Sequence, residues 1–382
     1  MLSFFKNKKI KSIVYATSVL AGTIIGVALF SLPYLTLQVG WPIMLAYFIV
    51  LGGLMILLHV LFGELVINTP DKKRFPGIAE YYWGKKGKYL AFFTHSGSLI
   101  GAILAYILVG GGFLFELLSG LQIDISLTGA ILIFWFAGSL IMFLGSGALN
   151  KLQLLGIISF IFILVFLAWL GKGESSITNL LARNGDNVSL LAPYGALVFA
   201  LWGASLIPQI EDILVENKKY MKGVIIASVI LPIIVYLFFI AIVMSISGVE
   251  TTPLALTSLS EKLGQGAYFL ILIFGIITTF TSFTAIGLTM TQVFEYDLKI
   301  KRIISWLVTI LLPIFLYFIG VKDFLELIVF VGSVLLAIDG INMLLMYRKN
   351  MLNVSKWKKF GSIVLILVLL GGIIYELLYL FK

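Results

Sequence analysis

Long uninterrupted runs of apolar residues dominate this chain, and short stretches rich in lysine separate them. A run of about 20 apolar residues is long enough to cross a lipid bilayer as an α-helix. The pattern therefore predicts an all-α membrane protein with eleven spanning helices. The predicted spans, numbered one to eleven, are residues 10–38, 41–67, 89–118, 126–145, 151–171, 192–216, 223–247, 266–294, 303–320, 324–347 and 360–381.

Two of these spans contain glycine interruptions and a proline shortly afterwards. Span one carries Gly22-Thr23-Ile24-Ile25-Gly26 before Pro33, and span six carries Trp202-Gly203-Ala204-Ser205 before Pro208. Glycine destabilises a helix interior by about 1 kcal/mol relative to alanine. Backbone groups left unpaired in hydrocarbon cost several kcal/mol each. Breaks in both helices therefore indicate a functional site.

The order of the spans places the two breaks in equivalent positions of two halves. Spans one and six cross the membrane in opposite directions, so spans one to five and six to ten are predicted to be inverted copies. Discontinuous helices at matching places in inverted repeats are typical of secondary transporters. We expect one transmembrane domain, with repeat one at about 10–171, repeat two at about 192–347 and an extra helix at about 360–381.

The composition agrees with a membrane location. Of the 382 residues, 60% are hydrophobic and 12% are charged, and the mean hydropathy is +1.10, whereas soluble domains carry about 25% charged residues. The absence of cysteine excludes disulfides, cysteine metal sites and a thiol nucleophile. A secretory signal peptide explains the N-terminus less well, because the first apolar run is too long and lacks a convincing cleavage site.

The net charge of +9 has an uneven distribution along the chain. With the N-terminus in the cytoplasm, all but five of the 27 Lys and Arg residues fall on the cytoplasmic side, the exceptions being Lys172, Arg183, Lys262, Lys322 and Lys382. This is the asymmetry that the positive-inside rule describes. The pattern predicts a multi-pass plasma-membrane protein with the C-terminus outside, and the basic excess requires no nucleic-acid partner.

The breaks supply main-chain chemistry of both signs. A helix that stops at Gly22 presents carbonyl groups at the end of its first half and free N–H groups at the start of its second. Helix ends carry about half a unit charge each, and they act more strongly where water is scarce. Carbonyls near Leu201 and Trp202 in span six would hold an ammonium group. Together the breaks suit a zwitterion such as a free α-amino acid.

At these positions the sequence resembles a known family. Residues 22–34 resemble the first-helix signature of amino-acid permeases in the amino acid/polyamine/organocation superfamily, and residues 199–208 resemble their sixth helix. Ala105-Tyr106 with Gly110 is similar to their third helix. The closest likeness is to the bacterial aromatic and hydroxy amino-acid permeases and the auxin/amino-acid permeases. Val27-Ala28 departs from the pattern, because the family more often has a small residue such as glycine there.

The resemblance implies the LeuT-type five-plus-five inverted repeat and amino-acid symport. It places the substrate carboxylate against the backbone of residues 23–26 and the amino group against residues 199–203. Trp202 becomes a candidate gate or a packed side chain, and Tyr106 a candidate gate or a core tyrosine. The expected substrate-binding residues are Gly22, Thr23, Ile24, Ile25, Gly26, Tyr106, Phe199, Leu201, Trp202, Gly203, Phe280 and Phe283.

Span eight contains a cluster of hydroxyl residues. Thr281 and Ser282 resemble the pair that binds sodium together with first-helix carbonyls, here that of Ala21, in sodium-coupled members of the fold. Hard oxygen ligands suit such an ion. The alternative is ordinary hydrogen bonding between packed membrane helices, which Ser and Thr often provide.

Ionisable side chains inside membrane spans are costly and are candidates for function. Asp339 has no basic residue within its own span and is a candidate proton carrier. Glu211 is either an ion-coupling residue or a helix-end acid paired at the membrane surface, and His59 is expected to be a packed histidine. The six candidates, all toward the cytoplasmic side, are His59, Glu64, His95, Glu211, Asp212 and Asp339.

The leading hypothesis is a secondary transporter that imports a neutral, aromatic or hydroxy amino acid with a proton or sodium ion. We expect a monomer in the lipid bilayer with a small-molecule substrate, no cofactor and no catalytic residues. An amino-acid sensor on the same fold is the alternative. A membrane enzyme is less favoured, because the sequence shows no His-x-x-x-His motif or acidic cluster with metal-ligand spacing.

Overall fold

A computed structural model describes residues 8–144, 161–184, 189–256, 259–350 and 355–380, and within these ranges all regular structure is helical. Two of the helices consist of two halves each. The helices are α1 (Lys8–Ile24 and Leu32–Val39), α2 (Trp41–Ile67), α3 (Phe75–Gly120), α4 (Leu127–Leu144), α5 (Ile161–Gly173), α6 (Tyr194–Ala200 and Ile207–Leu214), α7 (Met221–Ser247), α8 (Gln265–Gln292), α9 (Arg302–Phe318), α10 (Phe324–Asn350) and α11 (Lys356–Leu380).

Each predicted span has a helix in the described part of the chain. Seven helical stretches are long and apolar enough to cross a membrane, and the bent halves of α1 make an eighth. One of the seven, Tyr194–Glu250, contains both α6 and α7, and α5 and α9 are shorter apolar helices. Residues 145, 151–160 and 381 of the predicted spans lie outside the described ranges. The repeat boundaries remain predictions.

Helix α3 begins earlier than the sequence pattern predicts. The expected start was residue 89, but the helical stretch begins at Phe75 and bends at Gly84, whose φ of +71° is in the left-handed region that favours glycine. Lys85, Lys86 and Lys88 follow the bend. They lower the local hydropathy, so the apolar pattern alone did not predict the helix that precedes them. The result is a short additional helix at the end of the bundle that the charge pattern places in the cytoplasm, called the inner end.

Small residues let the helices of the site approach closely. The outer half of α6 lies against α10, where a Cβ on Gly332 would overlap the main-chain carbonyl of Gly195. Helix α10 contains a π-helical segment, Val331–Leu336, at this crossing. On the other side, the inner half of α1 packs along α7, and α8 packs along α3. The broken helices are therefore enclosed on all sides by α2, α3, α7, α8 and α10.

The outer surface of the bundle is apolar, as lipid contact requires. Phe93, Phe162 and Trp169 are each about 70% exposed. Charged side chains gather instead at the ends of the helices, where Lys358 of α11 pairs with Glu64 of α2. A soluble protein seldom exposes so much contiguous apolar surface, so this surface supports a position within the bilayer.

Candidate substrate site at two broken helices

The break in α1 lies where the glycines predict it. The α-helix ends at Ile24, Gly26 is extended with φ −115° and ψ −161°, and a 3₁₀ segment, Val27–Ser31, leads into the outer half. Pro33 stands in the first turn of that outer half, where it sacrifices no hydrogen bond. A Cβ on Gly26 would overlap the Tyr106 hydroxyl. Glycine at this position therefore allows α3 to contact the exposed backbone.

The break in α6 also lies at the predicted position. Its outer half ends at Ala200, and a 3₁₀ turn, Ala204–Leu206, precedes the inner half. A Cβ on Gly203 would lie 2.7 Å from Leu20 Cδ1 and 2.8 Å from Ile24 Cδ1, which is closer than packed carbon atoms allow. Glycine therefore lets the two broken helices pack closely here, and a larger residue would require the Leu20 and Ile24 side chains to shift.

A small cavity lies between the breaks. Its volume is about 30 Å³, which is room for one or two water molecules. Both breaks contribute to its wall, together with α3, α8 and α10. The lining residues are Thr23, Ile24, Gly26, Ala28, Ser98, Leu99, Ala102, Tyr106, Phe199, Ala200, Trp202, Ser205, Ile286 and Leu336.

Tyr236 of α7 connects the two breaks, although the sequence pattern did not single it out. Its buried hydroxyl contacts the Ile24 carbonyl of α1 at short range and the Ala200 carbonyl of α6 at 2.9 Å. A phenol has one proton to donate, so the two carbonyls share one donor. Tyrosines are frequent in membrane helices, and only the fold shows that this one holds the two unwound segments together.

His59 of α2 also satisfies the broken backbone. Its Nδ1 contacts the Met55 carbonyl at 2.5 Å, and its Nε2 lies 2.8 Å from the Gly203 main-chain nitrogen. A carbonyl can only accept, so Nδ1 carries the proton and Nε2 accepts the bond from Gly203. The side chain is fully buried. The expectation of a packed histidine agrees with this geometry, but its bond to the α6 break was not foreseen.

The two aromatic gate candidates both line the cavity. Trp202 is 7% exposed, and its Nε1 donates to Ser205 Oγ at 3.3 Å. The Tyr106 hydroxyl faces Ser282 and the main chain of Val27. These side chains therefore lie beside the two breaks, where a bound molecule would contact them.

Other predicted binding residues lie outside the cavity wall. Phe280 and Phe283 pack against Phe134 of α4, with ring centroids 5.7 and 5.9 Å from it, and they are not part of the cavity wall, so their role in substrate binding stays a prediction. The reason is rotational position on α8, whose cavity-facing residue is Ile286. Four more are buried near the breaks but are also absent from the wall: Gly22, Ile25, Leu201 and Gly203.

The hydroxyl pair of α8 lies beside the unwound end of α1. Ser282 Oγ donates to the Gly22 carbonyl at 3.3 Å, whereas Thr281 Oγ1 donates to the Thr278 carbonyl of its own helix at 2.9 Å. The Ala21 carbonyl accepts the Ile25 N–H at 2.8 Å. Oxygen atoms of both helices are therefore adjacent at this crossing, and the sodium site remains a prediction.

The family model for the tryptophan/tyrosine permeases matches residues 9–379, almost the whole chain. The chain belongs to the tryptophan/tyrosine permease family. It is therefore a transporter and not an enzyme. No match to a curated protein sequence was found.

Solved structures show that the permease has the LeuT fold with broken first and sixth helices. The crystal structure of MhsT in complex with L-phenylalanine aligns at 16% identity and a TM-score of 0.68, over 96% of this chain and 98% of that one. The nucleobase-cation-symport-1 family transporter Mhp1, in a closed conformation with bromovinylhydantoin bound, aligns at 15% identity and a TM-score of 0.70. The alignment covers 96% of this chain and 90% of that one. At these identities the likeness shows the fold alone.

Most acidic candidates of the permease form ion pairs at the inner end. Glu64 contacts Lys358 Nζ at 2.5 Å and the Tyr347 hydroxyl at 2.6 Å. Glu211 pairs with Lys218. These contacts agree with the interpretation of Glu64 and Glu211 as helix-end acids that pair with lysines at a membrane surface. An ion-coupling role for Glu211 stays a prediction.

Asp212 belongs to a larger polar network around Arg74. From the sequence, Arg74 was counted only among the basic residues of the cytoplasmic loops. The Arg74 guanidinium is buried, contacts Asp212 at 2.9 Å and donates twice to Gln292 of α8. Asp297, in the π-helical end of α8, accepts the main-chain N–H groups of Arg74 and Gly77 at 3.0 and 2.9 Å. The network ties α6, α8 and the start of α3 together at the inner end.

Proposed function

We propose that the permease imports a neutral amino acid, aromatic or hydroxylated, together with a cation, by alternating access across the plasma membrane. The observation that carries this proposal is that the backbone breaks of α1 and α6 border one cavity. The family to which the chain belongs is named for tryptophan and tyrosine. MhsT, which has a similar fold, is known in complex with L-phenylalanine. No cofactor is required by this proposal.

The cavity matches the charges of an amino acid without using a charged side chain. Among the described residues, its wall contains no Asp, Glu, Lys or Arg. The outer half of α1 begins beyond Gly26, and its first N–H groups favour the carboxylate. The outer half of α6 ends at Ala200, and its terminal carbonyls favour the ammonium group. Zwitterion binding therefore needs only the two helix ends in a dry site.

The hydrophobic part of the wall suits an apolar or aromatic side chain. Leu99, Ile286, Leu336 and Phe199 provide apolar contacts, and the Trp202 indole lies across the α6 break. A cavity of about 30 Å³ is smaller than any aromatic amino acid, so binding requires movement of the wall. Trp202 lies between the cavity and α10, with a single hydrogen bond of 3.3 Å to Ser205 and ring packing against His59 and Gly340, so we expect it to move when a substrate enters.

The inner end of the bundle combines a bridge between two helices with buried polar atoms that water could reach when the helices separate. Arg74 bridges α6 and α8. Its Nη1 atom, Gln209 Oε1 on α6 and Asn342 Nδ2 on α10 are buried without a partner among the described residues. Buried polar groups are usually satisfied by a partner or by water, so these three favour the hydration that accompanies inward opening. The positive-inside pattern assigns this end to the cytoplasm.

The proposal is tested by uptake of labelled tryptophan, tyrosine, phenylalanine and serine into proteoliposomes under proton or sodium gradients. We expect saturable uptake of at least one of them, stimulated by one of the gradients. Ala102→Phe, which fills the cavity wall, should abolish uptake, whereas Ala46→Phe on the exposed surface of α2 should not. Absence of both uptake and exchange from purified, folded protein would contradict the proposal.

A further inference from the structure

A buried histidine and a buried aspartate form a pair between α3 and α10. His95 Nδ1 lies 2.8 Å from Asp339 Oδ2, and the two side chains are 1% and 0% exposed. The sequence gave Asp339 no basic residue within its own span, and the fold supplies one from the neighbouring helix. Ionisable groups placed this deep in a membrane protein are costly and usually serve ion or proton movement.

Further donors surround the aspartate. The Thr94 hydroxyl donates to Asp339 Oδ1 at 2.5 Å. Ser98, one turn further along α3, lies within hydrogen-bonding reach of the same carboxyl group, and its hydroxyl also contacts the His95 carbonyl at 2.8 Å. A hydroxyl has a single proton to donate, and the Ser98 proton goes to the His95 carbonyl, so Thr94 is the hydroxyl donor that favours an ionised Asp339.

The other ionisable groups on the helices packed around the pair have partners of their own. Asp297, in the π-helical segment that follows α8, lies near His95, and its carboxylate accepts hydrogen bonds from the main-chain N–H groups of Arg74 and Gly77. Asp297 and His95 are close enough to interact electrostatically, so the pair lies beside the network around Arg74. The neighbouring groups and their partners are His59 with Met55 and Gly203, Glu64 with Lys358 and Tyr347, Asp297 with Arg74 and Gly77, and Glu376 with Ser333.

We propose that the His95–Asp339 pair is the proton-binding site that couples the proton gradient to transport. One proton from solvent gives an imidazolium beside a carboxylate, with zero net charge. Its release to solvent leaves a neutral imidazole beside a carboxylate, with a net charge of −1. A net charge is disfavoured in a dry interior, so the enclosed pair holds its proton and releases it when water reaches it. This inference rests on the proposed function and identifies its coupling cation.

The geometry also connects the pair to the substrate cavity. Ser98 lines the cavity on one side and reaches Asp339 on the other. Leu336, one turn before Asp339 on α10, lines it as well. The Trp202 ring packs onto Gly340, where a Cβ would lie 3.5 Å from the indole. Movement of Trp202 around a substrate therefore presses directly on the turn of α10 that carries Asp339.

The test compares exchange with gradient-driven accumulation in proteoliposomes. Exchange of internal for external amino acid does not require net proton movement, whereas one-for-one symport accumulates substrate about tenfold for each pH unit of gradient. Asp339→Asn should retain exchange and lose accumulation. Glu64→Gln, an acid of the inner end with its own lysine partner, is the matched control and should accumulate normally.

A second variant keeps the proposal testable if Asp339→Asn does not fold. Thr94→Val removes one donor from the carboxylate and makes its ionised form less stable, so the pH of half-maximal uptake should move upward. Normal proton-driven accumulation in Asp339→Asn, or an unchanged pH profile in Thr94→Val, overturns the proposal. Accumulation driven by sodium alone in the unmodified permease also overturns it, while leaving the proposed function intact. Absence of exchange in the unmodified permease refutes the proposed function itself.

Discussion

Removal of one hydroxyl group should disorganise both broken helices. In Tyr236→Phe, the ring remains in its buried position between α1 and α6, but the carbonyls of Ile24 and Ala200 lose their shared donor. Both oxygens are partial negative charges and face each other across the break. Without the hydroxyl they should separate, and the site should no longer be preformed for an ammonium group.

The size of the effect follows from the burial of the acceptors. Leaving a buried polar group without its partner costs about 1–3 kcal/mol. Since every 1.4 kcal/mol is a factor of ten in affinity, amino-acid binding should weaken by about 5- to 150-fold. The change removes one oxygen atom and adds no volume, so the fold should be retained.

Binding is measured on purified protein in detergent by titration with the amino acid that the uptake screen identifies. Tyr317→Phe is the matched control, because that buried tyrosine joins α9 to Thr128 of α4 at 2.9 Å, away from the breaks. The control should keep the affinity of the unmodified permease. An unchanged affinity in Tyr236→Phe would refute the reasoning, and tighter binding would show that the hydroxyl competes with the substrate.

Three further changes test the close contacts around the breaks. Gly203→Ala should reduce uptake by about tenfold, because overpacking costs about 1–3 kcal/mol, while Gly223→Ala, at an open position, should have normal uptake. Gly26→Ala should lose substrate binding in titrations, and adding Tyr106→Phe should restore part of it, since the new methyl group meets the Tyr106 hydroxyl. Arg74→Gln should speed amide hydrogen exchange at the inner ends of α6 and α8, because it removes the charge that joins them.

Each of these has a result that contradicts it. Equal uptake in Gly203→Ala and Gly223→Ala would show that the helix crossing at Gly203 tolerates a methyl group. A double variant no better than Gly26→Ala alone would place the damage in backbone conformation instead of the tyrosine contact. Unaltered hydrogen exchange in Arg74→Gln would show that apolar packing closes the inner end without the arginine.

The chain order of apolar and glycine residues was enough to predict the spans and both breaks. A run of about 20 apolar residues has few stable alternatives to a helix in a bilayer, and glycines with a following proline mark where the helix stops. The predictions for Gly26, Gly203, Trp202 and Tyr106 depended on this local pattern and on the family likeness; Gly26, Trp202 and Tyr106 line the cavity, and Gly203 lies in the α6 break beside it.

The sequence failed where rotation about a helix axis decides the outcome. Phe280 and Phe283 are in the correct helix, yet they face α4, because the register of α8 against α3 and α4 is set by packing across the whole bundle. Hydropathy cannot give the rotation, because the apolar and hydroxyl residues of span eight are not separated onto opposite faces.

Long-range partners were the other feature that only the tertiary structure decided. Tyr236, His59, Arg74 and the pairing of His95 with Asp339 each depend on contacts between residues more than 35 positions apart. The chain by itself determined that two transmembrane helices would each unwind at one place, because that is a property of local backbone chemistry. Which side chains satisfy the exposed groups is determined by the way eleven helices pack, since hydrogen bonds between helices form only when the fold brings their partners within about 3 Å.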